Sequence, residues 1–172
     1  EIISLRGNVN SRIAKLKDGE FDAIILAMAG INRLDLSKEV KYVSVLNTIA
    51  AMGQGALGIE AVDRADILEA IEFLNDEKSV IETTIERAFV HKLNGGCQAP
   101  IGVSARLDGD KISVKAILGT PDGKEILKDE RVFNKAEYKE AGEILANEFI
   151  AKGAKELLAK AEQIASQIWA IK

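Results

Sequence analysis

The sequence predicts an α/β segment followed by an α+β domain, and three patterns carry that expectation. A continuous apolar run at residues 23–28 follows an N-capped amphipathic stretch, as in a β-α-β unit whose strand is buried on both faces. Between residues 101 and 118 apolar side chains alternate with polar or small ones, broken by Asp108-Gly109, which reads as an antiparallel hairpin. Helical stripes flank that alternation on both sides, so the second part is a three-stranded antiparallel sheet with helices on one face.

In order, residues 1–5 are strand-like and end at Arg6-Gly7-Asn8, where Asn8 is the N-cap of a short helix with Ile13 and Leu16 on one face. Asp18-Gly19 closes that helix, and residues 23–28 form the next strand. Residues 29–36 suit a short helical segment carrying Arg33, and residues 42–46 suit a third strand. Gly53, Gly55 and Gly58 fall within six residues, as a tight crossover or a close approach to a ligand requires.

Asp66 with Glu69, and Ser79 with Glu82, have the spacing of capping boxes. They start one helix with the stripe Ile67, Ala70, Ile71 and Leu74, and another with Ile81, Ile85, Ala88, Phe89 and Leu93, stopped at Gly95. After the hairpin, Pro121-Asp122-Gly123 turns the chain into a third strand ending near Val132. Two helices follow, split at Gly153: the first carries Tyr138, Ala141, Leu145 and Phe149, the second Leu157, Leu158, Ala161, Ile164, Ala165 and Ile168.

The chain of 172 residues is long enough for one domain or two small ones. With 27 acidic against 23 basic residues it lacks the basic excess of a general nucleic-acid surface, so no nucleic-acid partner is expected. Its longest apolar run is too short to span a bilayer, so no membrane partner is expected either. One cysteine excludes an intramolecular disulfide framework and suits a cytoplasmic location. One histidine and one cysteine argue against a zinc site, and no metal is expected. With glutamate at position 1 and strand-like residues at once, the chain reads as a piece of a longer protein.

Two features point to chemistry. Cys97 stands on the Gly95-Gly96 turn between a helix and a strand, where a thiol can serve as a covalent attachment point or simply be a small buried side chain. Arg6, Arg12 and Arg33 fall at the expected C-terminal edge of the β-α-β unit, beside the start of the helix after Asn8. Guanidinium groups there suit a carboxylate or phosphate, or solvated surface pairing. Gly53-Gln54-Gly55 completes no nucleotide-binding fingerprint. His91, between Val90 and Lys92, fits an exposed helix position better than a partner activating Cys97.

Five stretches in fixed order then carry a resemblance. They are Arg6-Gly7-Asn8-Val9-Asn10-Ser11-Arg12, Asp22-Ala23-Ile24-Ile25-Leu26-Ala27, Gly53-Gln54-Gly55-Ala56-Leu57-Gly58-Ile59-Glu60, Glu86-Arg87-Ala88, and Gly95-Gly96-Cys97-Gln98-Ala99-Pro100-Ile101-Gly102. Together they resemble the C-terminal part of the porphobilinogen deaminase (hydroxymethylbilane synthase) family.

The resemblance implies a transferase of tetrapyrrole and heme biosynthesis that joins four porphobilinogen molecules head to tail and releases ammonia. It implies a dipyrromethane cofactor held by a thioether to Cys97, which is reasonable because a thiolate is a soft nucleophile. The pyrrole acetates and propionates would be met by Arg6, Arg12 and Arg33, with Ser11 and Gln54 beside them. It further implies a pair of α/β lobes of periplasmic-binding-protein type before a C-terminal α+β domain. Residues 1–49 would end domain 2, residues 50–75 would form the crossover and return to domain 1, and residues 76–172 would form domain 3.

No acid here matches the family's essential aspartate, which lies in its N-terminal half. No catalytic residue is therefore assigned, and this chain alone is expected to be inactive, with that half as its partner and otherwise a monomer. Ala50 stands where the family has proline. The rival reading is a non-catalytic module of the same fold holding a small carboxylate or phosphate. A thiol redox protein is a third, weakened by the lack of a second cysteine.

Overall fold

The computed structural model describes residues 1–95 and 99–170, with side chains through residue 167. The chain divides into two units, Glu1–Asn47 and Thr48–Lys172.

In Glu1–Asn47, α1 (Val9–Lys17) starts as the sequence dictates: Asn8 is extended, and its Oδ1 accepts the N–H of Ser11 at 2.9 Å. Its buried residue is Ile13, and α2 (Met28–Arg33) buries Ile31. The two helices meet where a Cβ on Gly30 would lie 3.4 Å from Val9 Cγ2. A 3-10 turn, Ser37–Glu39, follows, and Glu39 pairs with Lys17 on α1 at 2.5 Å.

The expected strands at residues 1–5, 23–28 and 42–46 do not form a sheet: among the described residues of this unit no ladder joins them. Their extended residues leave Ile2, Ile25, Tyr42 and Val45 largely in solvent. Apolar, β-prone residues make a segment extended, but a ladder needs a second strand alongside. Within Glu1–Asn47 no residue is paired in such a ladder.

In Thr48–Lys172, α3 (Ala65–Ile71) and α4 (Glu77–Lys92) precede the sheet. Both helices begin earlier than the expected capping boxes. Arg64 stands at the α3 N-cap without a side-chain cap bond, and Asp66 instead pairs with Arg64 at 2.5 Å. At α4 the cap is Asp76, whose Oδ1 accepts the Ser79 N–H at 2.7 Å, so Ser79 is the donor rather than the cap.

At the other end of α4, Asn94 rather than Gly95 takes the left-handed conformation, with φ 54°. The N–H groups of Asn94 and Gly95 donate to the carbonyls of His91 and Val90 at 3.0 Å each, a Schellman stop with asparagine in the usual glycine place.

β1 (Ile101–Asp108), β2 (Lys111–Gly119) and β3 (Ile126–Asn134) form the antiparallel sheet in the order β1-β2-β3, as expected. The first hairpin pairs Asp108 with Lys111, so Gly109 and Asp110 are its central residues, not Asp108 and Gly109. Gly109 comes first with φ 55°, which suits a type II′ turn.

One face of the sheet carries Val103, Ala105, Ile112, Val114, Ala116, Leu118 and Phe133 into the core. α4, α5 (Tyr138–Ala151) and α6 (Ala154–Ala170) cover it with Ile85 and Phe89, Leu145 and Phe149, and Ala154 and Leu158 respectively. The Phe89 and Phe149 rings meet edge to face, 5.1 Å between centroids. Among the described residues no helix is long and apolar enough to cross a membrane, and no group of three or more His, Cys, Asp or Glu is placed to hold a metal.

Candidate functional site

Cys97, with Gly96 and Gln98, lies outside the described residues, but both roots of its turn are defined. On one side α4 ends in the Schellman stop at Asn94 and Gly95; on the other, β1 begins at Ile101. A Cβ on Gly95 would stand 2.5 Å from Ile101 Cδ1 and 3.2 Å from Val90 Cγ1, so a larger residue there would make the tip of Ile101 shift. In the chain, residues 95–100 join the end of α4 to the start of β1. His91 is exposed on the last turn of α4.

The arginines fall in Glu1–Asn47. Gly7, at φ 119°, reverses the chain just before α1, and its carbonyl accepts Arg12 Nε at 2.7 Å. That bond fixes the guanidinium from behind and leaves its two terminal nitrogens as a fork, the donor set that suits a carboxylate. Ser11 Oγ donates to the Asn8 carbonyl at 3.0 Å and keeps its own lone pairs. Arg6 is exposed immediately before Gly7, and Arg33 is exposed on the last turn of α2. Ser11 N–H is already taken by Asn8, so anion binding here would fall to the arginines more than to the helix end. Among the described residues, none of these three arginines forms an ion pair.

Gln54 lies in Thr48–Lys172, exposed on a turn closed by Ala56 N–H donating to the Gly53 carbonyl at 3.1 Å. Gly55 follows it with φ 87°, as the third position of a type II turn requires. The structure therefore sets Ser11 and Arg12 on the first turn of α1 with Arg6 just before it in the chain, and places Gln54 in the other unit.

The sequence reading missed the group that holds the Gln54 turn. Glu86, only 8% exposed on α4, accepts the Gly53 N–H at 2.7 Å through Oε2 and the Ala105 N–H at 3.0 Å through Oε1. The signal was present: Glu86 sits between the stripe residues Ile85 and Phe89, where a carboxylate must find donors or stay in water.

Two family models match the chain. "Porphobilinogen deaminase, dipyromethane cofactor binding domain" matches residues 1–70, and "Porphobilinogen deaminase, C-terminal domain" matches residues 80–151. Curated relatives include porphobilinogen deaminases of Campylobacter fetus, 73% identical over 164 residues and 95% of this chain, and of Campylobacter hominis, 58% identical over 168 residues and 96% of it. The protein of that name from Campylobacter jejuni is 62% identical over 167 residues, 95% of this chain. In each case the match covers 54% of the relative, so the chain spans about half the length of the curated relatives it matches. The chain belongs to the porphobilinogen deaminase family.

Proposed function

We propose that this chain provides the cofactor-carrying C-terminal part of a hydroxymethylbilane synthase, which polymerises four porphobilinogen molecules into a linear tetrapyrrole with loss of ammonia. The observation that carries the reading is the Arg12 fork, anchored on the Gly7 carbonyl inside the stretch matched by the cofactor-binding family model. Its donors fit the acetate and propionate groups of a dipyrromethane. Bound through a thioether to Cys97, dipyrromethane supplies the pyrrole end from which the product chain grows.

The chain's own residues hold and orient. Arg6, Arg12 and Arg33 neutralise carboxylates, Ser11 offers acceptor lone pairs, and Gln54 presents an amide that both donates and accepts. Cys97 would hold the cofactor at one fixed point, so that the cofactor's own carboxylates meet the same cations throughout. In this reading residues 1–49 and 50–75 belong to two periplasmic-binding-protein-like lobes and residues 76–172 to the third domain. The lobes are completed by the remainder of a full-length protein, otherwise monomeric and cytoplasmic. Extended residues with exposed Ile25, Tyr42, Val45, Leu57 and Ile59 support this, because such segments are suited to lie inside a larger sheet.

The test is the intact mass of the full-length, substrate-fed protein beside its Cys97→Ser variant. A gain of two linked pyrroles, mapped to the Cys97 peptide and missing from the variant, is expected. An unmodified wild-type mass would leave the small-anion binding module as the better reading.

A further inference from the structure

We infer that Glu86 is a positioning residue that sets the Gln54 turn against the root of the Cys97 turn. The inference builds on the proposed roles of Gln54 and Cys97, but its geometry stands without them.

β1 is an edge strand, and the N–H groups of Val103, Ala105 and Leu107 point away from β2. Open edges of this kind are normally covered. Here three acceptors cover the row: the Ala50 carbonyl takes Val103 N–H at 2.9 Å, Glu86 takes Ala105 N–H at 3.0 Å, and Glu82 takes Leu107 N–H at 2.8 Å. Glu82 ends its role there, with Arg106 and Lys78 about 4 Å away. Glu86 does something more. Its second oxygen reaches across to Gly53 N–H at 2.7 Å, so one carboxylate ties α4, β1 and the residue before Gln54 into one unit.

The strap between Ala50 and Gly53 is thus held at both ends. Gly102 makes its approach possible, since a Cβ there would stand 2.6 Å from the Ile49 carbonyl oxygen and 3.1 Å from that of Ala50. Gly102 is also the last residue of the stretch that carries Cys97, so the strap packs on the start of β1, where that stretch ends. A carboxylate is required because two N–H donors need two acceptor oxygens. Glutamine offers one oxygen and turns an NH2 group on the other donor.

The experiment uses the full-length protein and hydrogen–deuterium exchange, with steady-state kinetics on porphobilinogen alongside. Glu86→Gln should speed exchange across residues 48–56 at least tenfold while α5 and the β2–β3 ladder keep their protection. It should also lower kcat about tenfold with KM within twofold. Glu82→Ala, which removes an edge acceptor without touching the strap, should leave both the 48–56 exchange and kcat unchanged. Gly102→Ala perturbs the strap from the other side and should reproduce the 48–56 signature with α4 intact.

Unchanged exchange at 48–56 in Glu86→Gln, or an equal rise in Glu82→Ala, would overturn the inference. The exchange result does not depend on any cofactor, so loss of the proposed function would leave it readable.

Discussion

In the sheet and helices that follow Asp76, apolar side chains meet one another: Ile85, Phe89, Ile112, Val114, Leu118 and Phe149 are all but completely buried. In Glu1–Asn47 only Ile13 and Ile31 are buried among the apolar residues, while Tyr42 is 93% exposed and Val45 86%. Charges divide less cleanly, since Lys17 pairs with Glu39 in Glu1–Asn47. Around the sheet, Asp129 pairs with Lys152, Glu125 with Lys160 and Arg131 with Glu148, whereas Arg6, Arg12 and Arg33 form no ion pair among the described residues. One region is closed on itself. The other leaves Ile2, Ile25, Tyr42 and Val45 in solvent.

Phe89→Ala strikes the closed region hardest. Removing a fully buried aromatic ring that contacts Phe149 should cost about 3–5 kcal/mol, read by urea denaturation of this chain. A loss below about 1 kcal/mol would mean that the region after Asp76 is not one cooperative core.

Gly142→Ala comes next. Its Cβ would meet Ala88 Cβ at 2.8 Å and Phe89 N at 2.9 Å, so α4 and α5 must separate, at about 1–3 kcal/mol. A lowered Tm with unchanged helix content by circular dichroism is expected.

Ile25→Ala and Val45→Ala sharpen the contrast, because side chains already in solvent should change the stability of this chain by less than about 0.5 kcal/mol. A larger loss in either would show that these segments bury more than the structure gives them.

The smallest effect is electrostatic. Asp122 accepts from Thr120 Oγ1 at 2.6 Å and from Lys124 N–H at 3.2 Å, and these bonds push its carboxyl down to about 2. A depressed folded pKa contributes stability above the ordinary value of 3.8, lost as pH falls from there through about 2. The Asp122 carboxyl carbon followed by NMR should titrate in that lower range, and Thr120→Ala should move it up.

The meander was legible because strand alternation is local: Ala105, Val114 and Ala116 lie on the core face as their spacing demands. The Asn8 cap, the α4 stripe of Ile81, Ile85 and Phe89, and the split at Gly153 were legible for the same reason. At the site, the sequence offered Arg12 and Gln54 as residue types. It gave no sign that Arg12 is steadied by the Gly7 carbonyl or that Gln54 rides on a strap held by Glu86. The Asp76 cap and the left-handed Asn94 were misplaced by a few residues, because neighbouring side chains could each satisfy the same end groups.

By itself, then, the sequence determined the periodic elements of the sheet domain and the family to which the chain belongs. Both are written in residue order and need no knowledge of what lies across the fold. Tertiary structure alone decided which extended segments became strands and which stayed unpaired, since a ladder exists only when a second backbone supplies the opposite donors and acceptors. It also decided the role of Glu86, whose two donors come from residues 33 positions before it and 19 after it. A buried carboxylate is stable only where the fold delivers such donors together.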